Sequence, residues 1–394
     1  MKKVLISGAS IAGPTIAYWL SKLNYNVTLV EREESIRLGG QNIDIKGAAK
    51  EVAEKMGIYD QIKQAGTGEV GTHYVDKDDN ITATFDMGEF GGLTSELEIL
   101  RGNLVEILFH LTKSKVHYRF ADHITNVKNH EKDVEVTFHS GKVARYDLLI
   151  IAEGQRSKTR DLVFANQVDT KYLGLYTAYA TIPKTSNDTS WAKWYVSTKS
   201  RSIIMRPDNQ GTTRVALNFL SERDQYQDLS HQEKQRLIKE IFQDAGWESN
   251  RILDALDKVD NIYLDSVTQI KMDSWSEGRV VLLGDAGYCP TTLTGKGTAL
   301  AMIGAYILAH ELHAAKDHQI AFQQYENKFR GYVESVQNFP ESFIKLAYPS
   351  SAFGVFIFNK IEGMIASKTF QSFTKFFNSD KSDEDDFKLP VYQD

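Results

Sequence analysis

Gly8, Ser10 and Gly13 stand at the spacing of a glycine-rich turn, and a carboxylate, Glu31, follows Gly8 by 23 positions. The stretch that contains them reads KVLISGASIAGPTIAYWLSKLNYNVTLVE: an apolar run, a turn, an amphipathic run and a second apolar run. That order builds a strand, a turn, a helix and a strand able to hold a dinucleotide. Gly8 permits the sharp turn, and Gly13 lets helix and strand pack closely. Ile11 and Ala12 open the helix, whose unpaired N–H groups and partial positive charge suit a pyrophosphate. Glu31 can accept both hydroxyls of an adenosine ribose, and Arg32 beside it joins the cofactor-binding set. Ser10 occupies the place of the middle glycine; its side chain crowds a phosphate but can donate it a hydrogen bond worth roughly 1.5–3 kcal/mol. A 2′-phosphate about 4 Å from Glu31 is repelled by several kcal/mol at an effective dielectric of about 20. The adenosine expected here is therefore unphosphorylated, as in FAD or NAD. A Lys-Lys start before an apolar run also opens secretory signals, but Pro14 and the amphipathic continuation run past any small-residue cleavage site.

A second constellation lies in GRVVLLGDAGYCPTTLTGKGTALAMIGAYILA, residues 278–309. A buried strand ending in Gly284-Asp285 sets one carboxylate at the carboxyl edge of a sheet, where α/β ligands bind. Pro290, Gly295 and Gly297 shape a turn whose N–H groups face the start of a long helix beginning near Thr298, a nest for an anion or an electron-rich ring. One long ligand spanning two sites about 270 residues apart in sequence is FAD rather than NAD alone. A third stretch, YDLLIIAEGQRSKTR (146–160), is a further apolar strand with a glycine turn.

The elements that position these residues follow from the hydrophobic pattern. Strands near residues 4, 27, 148 and 280 read as one parallel layer, with a helix AAKEVAEKMG stopping at Gly57 and another over GNLVEILFHLTK. Runs 116–120, 123–129 and 133–138 read as a meander. Residues 170–220 alternate as antiparallel strands, and polar helices follow at 231–257. The fold class expected is α/β: a Rossmann-like FAD-binding domain with a parallel sheet, an antiparallel-sheet substrate domain, and C-terminal helices. The FAD-binding part takes 1–70, 96–165 and 275–338, and the substrate part 71–95 and 166–274. Helices at 339–380 bridge or close the site, and 381–394 form an acidic tail. Within those helices Phe343, Leu346, Ala347, Phe356, Ile357, Ile361, Ile365 and Phe370 give an apolar stripe.

The chain has 394 residues, 42% hydrophobic and 25% charged, with a net charge of −6. That balance gives no reason to expect nucleic acid or an anionic membrane surface as partner. A single cysteine, Cys289, excludes intrachain disulfides and fits a reducing cytoplasm. No apolar run reaches the eighteen or so residues a membrane span needs. A monomer is expected. His110 and His123 lack partners at metal-ligand spacing, so no metal is expected.

GASIAG…E, AEGQRSKTR and GDAGYCPTTLTGKG together resemble the three fingerprints of single-component, FAD-dependent aromatic hydroxylases, the class A monooxygenases of the para-hydroxybenzoate hydroxylase type. Within that family GGQNIDI, EILRGNLVEIL and GDAGYCP…GAYILA are similar to soil-derived tetracycline destructases. The resemblance covers nearly the whole chain. It implies tightly but non-covalently bound FAD, with Glu31 on the ribose, Asp44 and Arg101 at the flavin end, Asp285 at the ribitol and pyrophosphate, and Gly295 and Gly297 beside the ring. Arg37, seven residues before Asp44, matches a position implied to meet NADPH (or NADH) transiently. It also implies that O2 and a small aromatic molecule are the other reactants. Four positions depart from the pattern: Ser10 for Gly, Glu153 for Asp, Lys296 for Gln and Thr298 for Asn.

In such chemistry the cofactor performs the hard step, and no catalytic side chain is assigned. The lack of a second glycine-rich nucleotide motif argues against a disulfide reductase, and WAKW (191–194) lacks the W-x-W-x-I-P run of flavin halogenases. A reductase or dehydrogenase on the same fold, without oxygenation, and a non-catalytic flavin or drug binder stay open. For the substrate, alternate side chains of the antiparallel sheet should face the flavin. Tyr179, Trp194, Arg201, Met205 and Arg214 are the candidates there and suit a flat, polar-edged aromatic molecule. By resemblance, Tyr179, Arg201 and Arg214 fall where one destructase branch has a Gln, an Arg and a His that meet the drug, and only Arg201 matches. Inactivation of a tetracycline-type antibiotic is one expectation that follows.

Overall fold

The computed structural model of the chain describes residues 1–89, 92–259, 262–338, 340–367 and 387–392. Val280–Leu282, Leu148–Ile151, Lys3–Ser7, Asn26–Val30 and His117–Arg119 lie side by side and parallel, in that order. Ser276–Glu277 adds a short antiparallel edge. Val4, Leu5, Ile6, Leu149, Ile150, Val280 and Val281 are fully buried because helices cover the layer, which is why these strands read as continuous apolar runs. The helix Ala12–Lys22 packs on the long helix Gly297–Ala314, which in turn meets Ala48–Met56 and His318–Gln337. Gly57 ends Ala48–Met56 with φ +71°, donating back to Ala53 and Glu54, the left-handed cap that glycine adopts most cheaply.

The run near 117 departs from the expected meander. His117–Arg119 extends the parallel layer, and the three-stranded meander is Ile124–Asn129, Val134–Phe138 and Val143–Tyr146.

The second layer has seven strands, ordered Tyr263–Met272, Val168–Pro183, Thr212–Leu220, Arg201–Pro207, Trp191–Ser197, Gly71–Val75 and Ile81–Asp86. All pair antiparallel except Gly71–Val75 against Trp191–Ser197. Tyr263–Met272 is an element the pattern did not reveal. Its Asp265, Ser266, Thr268 and Gln269 are buried polar groups that mask the apolar alternation. One face of this sheet carries Ala178, Ala180, Tyr195, Ile203, Met205, Val215 and Leu217 against Ile238, Phe242, Ile252 and Leu256 of the helices His231–Phe242 and Ser249–Leu256. On the other face Tyr74, Val196, Leu173, Leu175 and Phe85 meet Ile344, Ala347, Tyr348 and Phe358 of the C-terminal region, with Leu293 and Trp194 beside them.

Those contacts revise the C-terminal stripe. Helices Glu341–Ala347 and Ala352–Ile365 form, but Phe343, Leu346, Phe356 and Ile357 are exposed, and Ile344, Ala347 and Phe358 are buried. The helices are apolar nearly all round, so spacing alone did not choose the inward face. Phe370 lies outside the described residues. Beyond the acidic stretch, Leu389 is buried in the first core, Phe387 packs on Tyr332, and Tyr392 bonds Glu311. Residues 387–392 are thus docked on the helices Gly297–Ala314 and His318–Gln337 rather than a solvated tail.

Candidate active site

Three turns meet at the carboxyl edge of the parallel layer, held by bonds between segments remote in sequence. The N–H of Gly8 donates to Val30 O (2.9 Å), that of Ala152 to Ser7 O (2.8 Å), and that of Leu283 to Ile151 O (2.9 Å). Gly8 has φ +107°, and a Cβ there would stand 2.4 Å from Ala152 O. A Cβ on Gly13 would stand 1.9 Å from Gly8 O. Both positions therefore require glycine, and the N-terminus of Ala12–Lys22 is drawn tight against the turn. Glu31 closes the turn from the next strand, its Oε2 accepting from Ala9 N–H (2.8 Å) and its Oε1 from Glu33 N–H (3.1 Å). Arg32 is exposed, paired with Glu33.

Ser10 Oγ accepts from Arg101 Nη1 at 2.9 Å. Arg101 also donates to Gly39 O and, at 3.4 Å, to Arg37 O. Gly40, at φ +136°, lies against its side chain, and a Cβ there would come within 2.5 Å of Nε. Burial, and then the nearby charge of Arg37, lower the Arg101 guanidinium to about 10. Arg37 itself is exposed at this mouth. Asp44 sits on Asn42–Asp44, which pairs with Glu98–Leu100, and accepts from Ser95 Oγ (2.7 Å).

Glu153, where the pattern has Asp, turns back into its own loop. It accepts from Ser7 Oγ, from Ser157 Oγ (2.7 Å) and from Thr159 N and Oγ1 (3.1 and 2.6 Å). Asp285 opens the short helix Asp285–Tyr288 after the Gly284 turn, and burial raises its carboxyl to about 6 despite the Cys289 thiol beside it. Burial and the neighbouring carboxylate push that thiol well up. Past Pro290, Thr291 has φ +97° and Gly295 φ +63°. The non-glycine value is a backbone outlier of the kind that gathers at ligand loops. Asp285 Oδ1 faces Gly297 at the start of the long helix, where an added Cβ would lie 3.6 Å from it. Thr298 is buried there.

The loop meets the second sheet where Thr292–Thr294 packs on Tyr263–Met272, the strand that pairs with Tyr179; burial raises the Tyr179 phenol to about 12. Tyr179 pairs with Tyr263 and Ala216, Trp194 with Ile204 and Tyr74, and Arg214 with Thr181 and Arg206. The period of two puts Tyr179, Trp194 and Arg214 on the face toward the loop. Arg214 is committed there: it bonds Asp208 (2.9 Å), Thr181 Oγ1 (2.8 Å), Gln210 (2.7 Å) and Gly40 O (3.3 Å).

Arg201 and Met205 are a correction. They share the opposite face of their strand, Met205 in the core under the helices. Arg201, 2% exposed, donates to Thr198 O (3.0 Å), Ile241 O and Asp244 (2.6 Å). Neither side chain reaches the loop face.

Several groups at the junction carried no sequence signal. Arg206 bonds Glu69 (2.8 and 2.9 Å) and Glu98 (3.0 Å), and burial raises Glu98 to about 7 against the pull of Arg206. Arg156 bonds Asp265 (2.5 Å), which also accepts from Gln155 (2.6 Å) and Tyr263 (2.9 Å). Asp265 lies on Tyr263–Met272, the strand whose buried polar residues mask its alternation.

The FAD binding domain family matches residues 1–336. A flavin-dependent monooxygenase from an unknown prokaryotic organism is 38% identical over 343 residues, 86% of this chain and 88% of its own. The flavin-dependent monooxygenase of Legionella longbeachae is 36% identical over 373 residues, 93% and 95% of the two chains. Crystal structures of the tetracycline destructases Tet(55) and Tet(51) match at TM-scores of 0.82 and 0.81. Each is 33% identical, over 100% of this chain and 99% and 100% of theirs. The chain belongs to the FAD-binding family of flavin-dependent monooxygenases, with FAD as its cofactor, and resembles the tetracycline destructases within it. No helix among the described residues is long and apolar enough to cross a membrane.

Proposed function

We propose that the protein is a cytoplasmic, monomeric FAD enzyme that uses NAD(P)H and O2 to hydroxylate a polycyclic or aromatic molecule, a tetracycline-type antibiotic among the candidates. The single observation that carries this is the packing of Thr292–Thr294 on the strand Tyr263–Met272, which joins the glycine loop after Asp285 to an aromatic sheet face covered by the C-terminal helices. The residues fit FAD. A Cβ would fill the Gly8–Gly13 turn, and Asp285 is a buried carboxyl aimed at the loop. Gly8, Ser10, Ile11, Ala12 and Gly13 would hold the pyrophosphate, with Glu31 and Arg32 at the adenosine. Asp285, Pro290, Gly295, Gly297 and Thr298 would hold the ribitol and ring, and Asp44 and Arg101 the flavin end. Bound FAD supplies reduction by nicotinamide and activation of oxygen. The chain's own part is positioning and exclusion of water. Arg101 clasps the Arg37–Gly40 loop, leaving the exposed Arg37 for a transient nicotinamide nucleotide. The Tyr179–Trp194 face orients a flat substrate, and Phe358 and Tyr348 seal that face from solvent.

The test is steady-state consumption of NADPH and NADH with tetracyclines, phenols and quinones, together with O2 uptake and mass detection of products gaining 16 Da. Product formed in step with both NAD(P)H and O2 supports oxygenation. Nucleotide oxidation with reduced product and no O2 uptake identifies a reductase, and binding without turnover a carrier.

A further inference from the structure

The loop-facing sheet face and the turn beside it carry three arginines, yet each guanidinium there is already matched. Arg206 lies between Glu69 and Glu98, Arg214 on Asp208, and Arg156 on Asp265. A carboxylate substituent on the substrate finds no free cation among them. The reverse holds at the outer end of the same face. The side-chain carboxyl of Glu362, on the helix Ala352–Ile365, makes no ion pair or hydrogen bond among the described residues. Its helix is seated directly on the sheet edge: a Cβ on the next residue, Gly363, would lie 3.2 Å from Thr82 O. Glu362 stands one turn beyond Phe358, whose ring is 6.0 Å from Tyr74, so the carboxyl shares the inward face. Burial raises it to about 7, with no cation among the described residues offsetting that rise. Lys360 of the same helix lies instead over the exposed Phe356.

Beside it, Tyr74 and Trp194 are adjacent across the strand pair, their rings stacked at 5.1 Å and 18°. The indole Nε1–H of Trp194 is buried without a hydrogen-bond partner, an omission that costs about 1–3 kcal/mol unless a ligand accepts it. The corner is continuous with the loop. Tyr74, Tyr348 and Phe358 form one packed cluster with Trp194 and with Leu293 of the loop, and Tyr74 feels the charge of Glu362.

We propose that Glu362 and Trp194 recognise a protonated alkylamine on the substrate, flanked by an oxygen acceptor. The carboxylate pairs with the ammonium, the aromatic faces add cation–π attraction, and the indole N–H donates to the neighbouring oxygen. This rests on the monooxygenase reading of the site and narrows its substrate to aromatic amines over aromatic acids.

The experiment is calorimetric titration of FAD-loaded protein at pH 8 with three probes: 1-(dimethylaminomethyl)-2-naphthol, its carbon isostere 1-isobutyl-2-naphthol, and 1-carboxymethyl-2-naphthol. The wild-type protein is expected to bind the amine about tenfold or more tighter than the isostere, and the acid weakest. Glu362→Gln brings amine and isostere within about twofold while the isostere's Kd and the FAD content stay unchanged. Trp194→Phe keeps the ring and weakens amine and isostere alike. An amine preference that survives Glu362→Gln, or a wild-type holoprotein with no preference or no binding of either probe, overturns the inference. FAD content measured on the same preparation reports separately: protein that never holds FAD overturns the underlying reading and this inference with it.

Discussion

Arg101 Nη1 donates to Ser10 Oγ across 2.9 Å, tying the residue that departs from the glycine pattern to the helix Arg101–Thr112. The serine is therefore a built part of the turn. Its oxygen is the acceptor in that bond, so its own proton stays free for a second acceptor. Because Arg101 also holds Gly39 O and Arg37 O, one guanidinium fixes the phosphate turn and the loop at the cleft mouth together. A buried, multiply bonded guanidinium outweighs one hydroxyl contact. Ser10→Gly is expected to weaken FAD binding by less than about fivefold, and Arg101→Ala by more than about tenfold. Fluorescence titration of apoprotein with FAD checks this, and equal losses in the two variants would sink the proposed coupling.

Asp285 carries a pH signature. An unfolded carboxyl ionises near 3.8, and this one, buried, near 6. Folding of the apoprotein therefore takes up a proton between those values. Stability falls as pH rises through that window, and above about 6 the full penalty of about 3 kcal/mol is present. Asparagine cannot ionise. Apo Asp285→Asn should melt higher than wild type at pH 7.5, with the gap closing near pH 4, while its FAD affinity is lower at neutral pH. Paired thermal melts across pH 4–8 test it; a gap that does not vary with pH contradicts the assignment.

Arg201 belongs to stability rather than to substrate. Its Nε donates to Thr198 O and its Nη1 to Ile241 O and Asp244, joining its strand to the helix His231–Phe242, while Nη2 is buried without a partner. Removing it leaves buried acceptors without a partner, which costs about 2–4 kcal/mol. Arg201→Ala is expected to lower the denaturation midpoint and leave the KM for any turned-over substrate within about twofold. A large rise in KM at unchanged stability would return Arg201 to the binding site.

The difference between Arg201 and Asp285 marks how far the sequence carries. Asp285 was legible because its strand is buried on both faces, so an apolar run ending in Gly-Asp marks a sheet edge unambiguously. The same holds for the parallel strands at 4, 27 and 148. Arg201 was not, because period two groups 201, 203 and 205 on one face without saying which face meets the ligand. Only the helices Ser249–Leu256 and His231–Phe242, packed on Ile203 and Met205, decide that. Asp265 was hidden for a related reason. Its strand buries polar residues that are satisfied by partners such as Gln155 and Arg156, more than a hundred positions away. Local patterning carries no trace of such partners. The C-terminal helices failed similarly, since a segment apolar on every side leaves its inward face to tertiary contact.

Phe358 gives the sharpest test of closure. It is the deepest side chain of Ala352–Ile365, 6% exposed, and it sits against Tyr74 on the sheet face that runs to Tyr179 and the glycine loop. Deleting everything beyond residue 352 is a poor probe, because it also removes Leu389 and Tyr392, which dock on the long helix of the FAD-binding layer. Phe358→Ala removes the anchor alone. A large-to-small change at a buried aromatic costs about 3–5 kcal/mol of local packing, enough to favour an undocked helix without touching the phosphate turn. If the helix excludes water from the reacting centre, opening it diverts oxygen to hydrogen peroxide. The variant should keep FAD at wild-type stoichiometry and release more peroxide per NAD(P)H oxidised in the presence of a hydroxylated substrate, by about threefold or more. Phe356→Ala, an exposed neighbour on the same helix, should change nothing. A peroxidase-coupled assay beside product quantification reads the ratio. Unchanged coupling in Phe358→Ala means that the helix is core packing and not a seal.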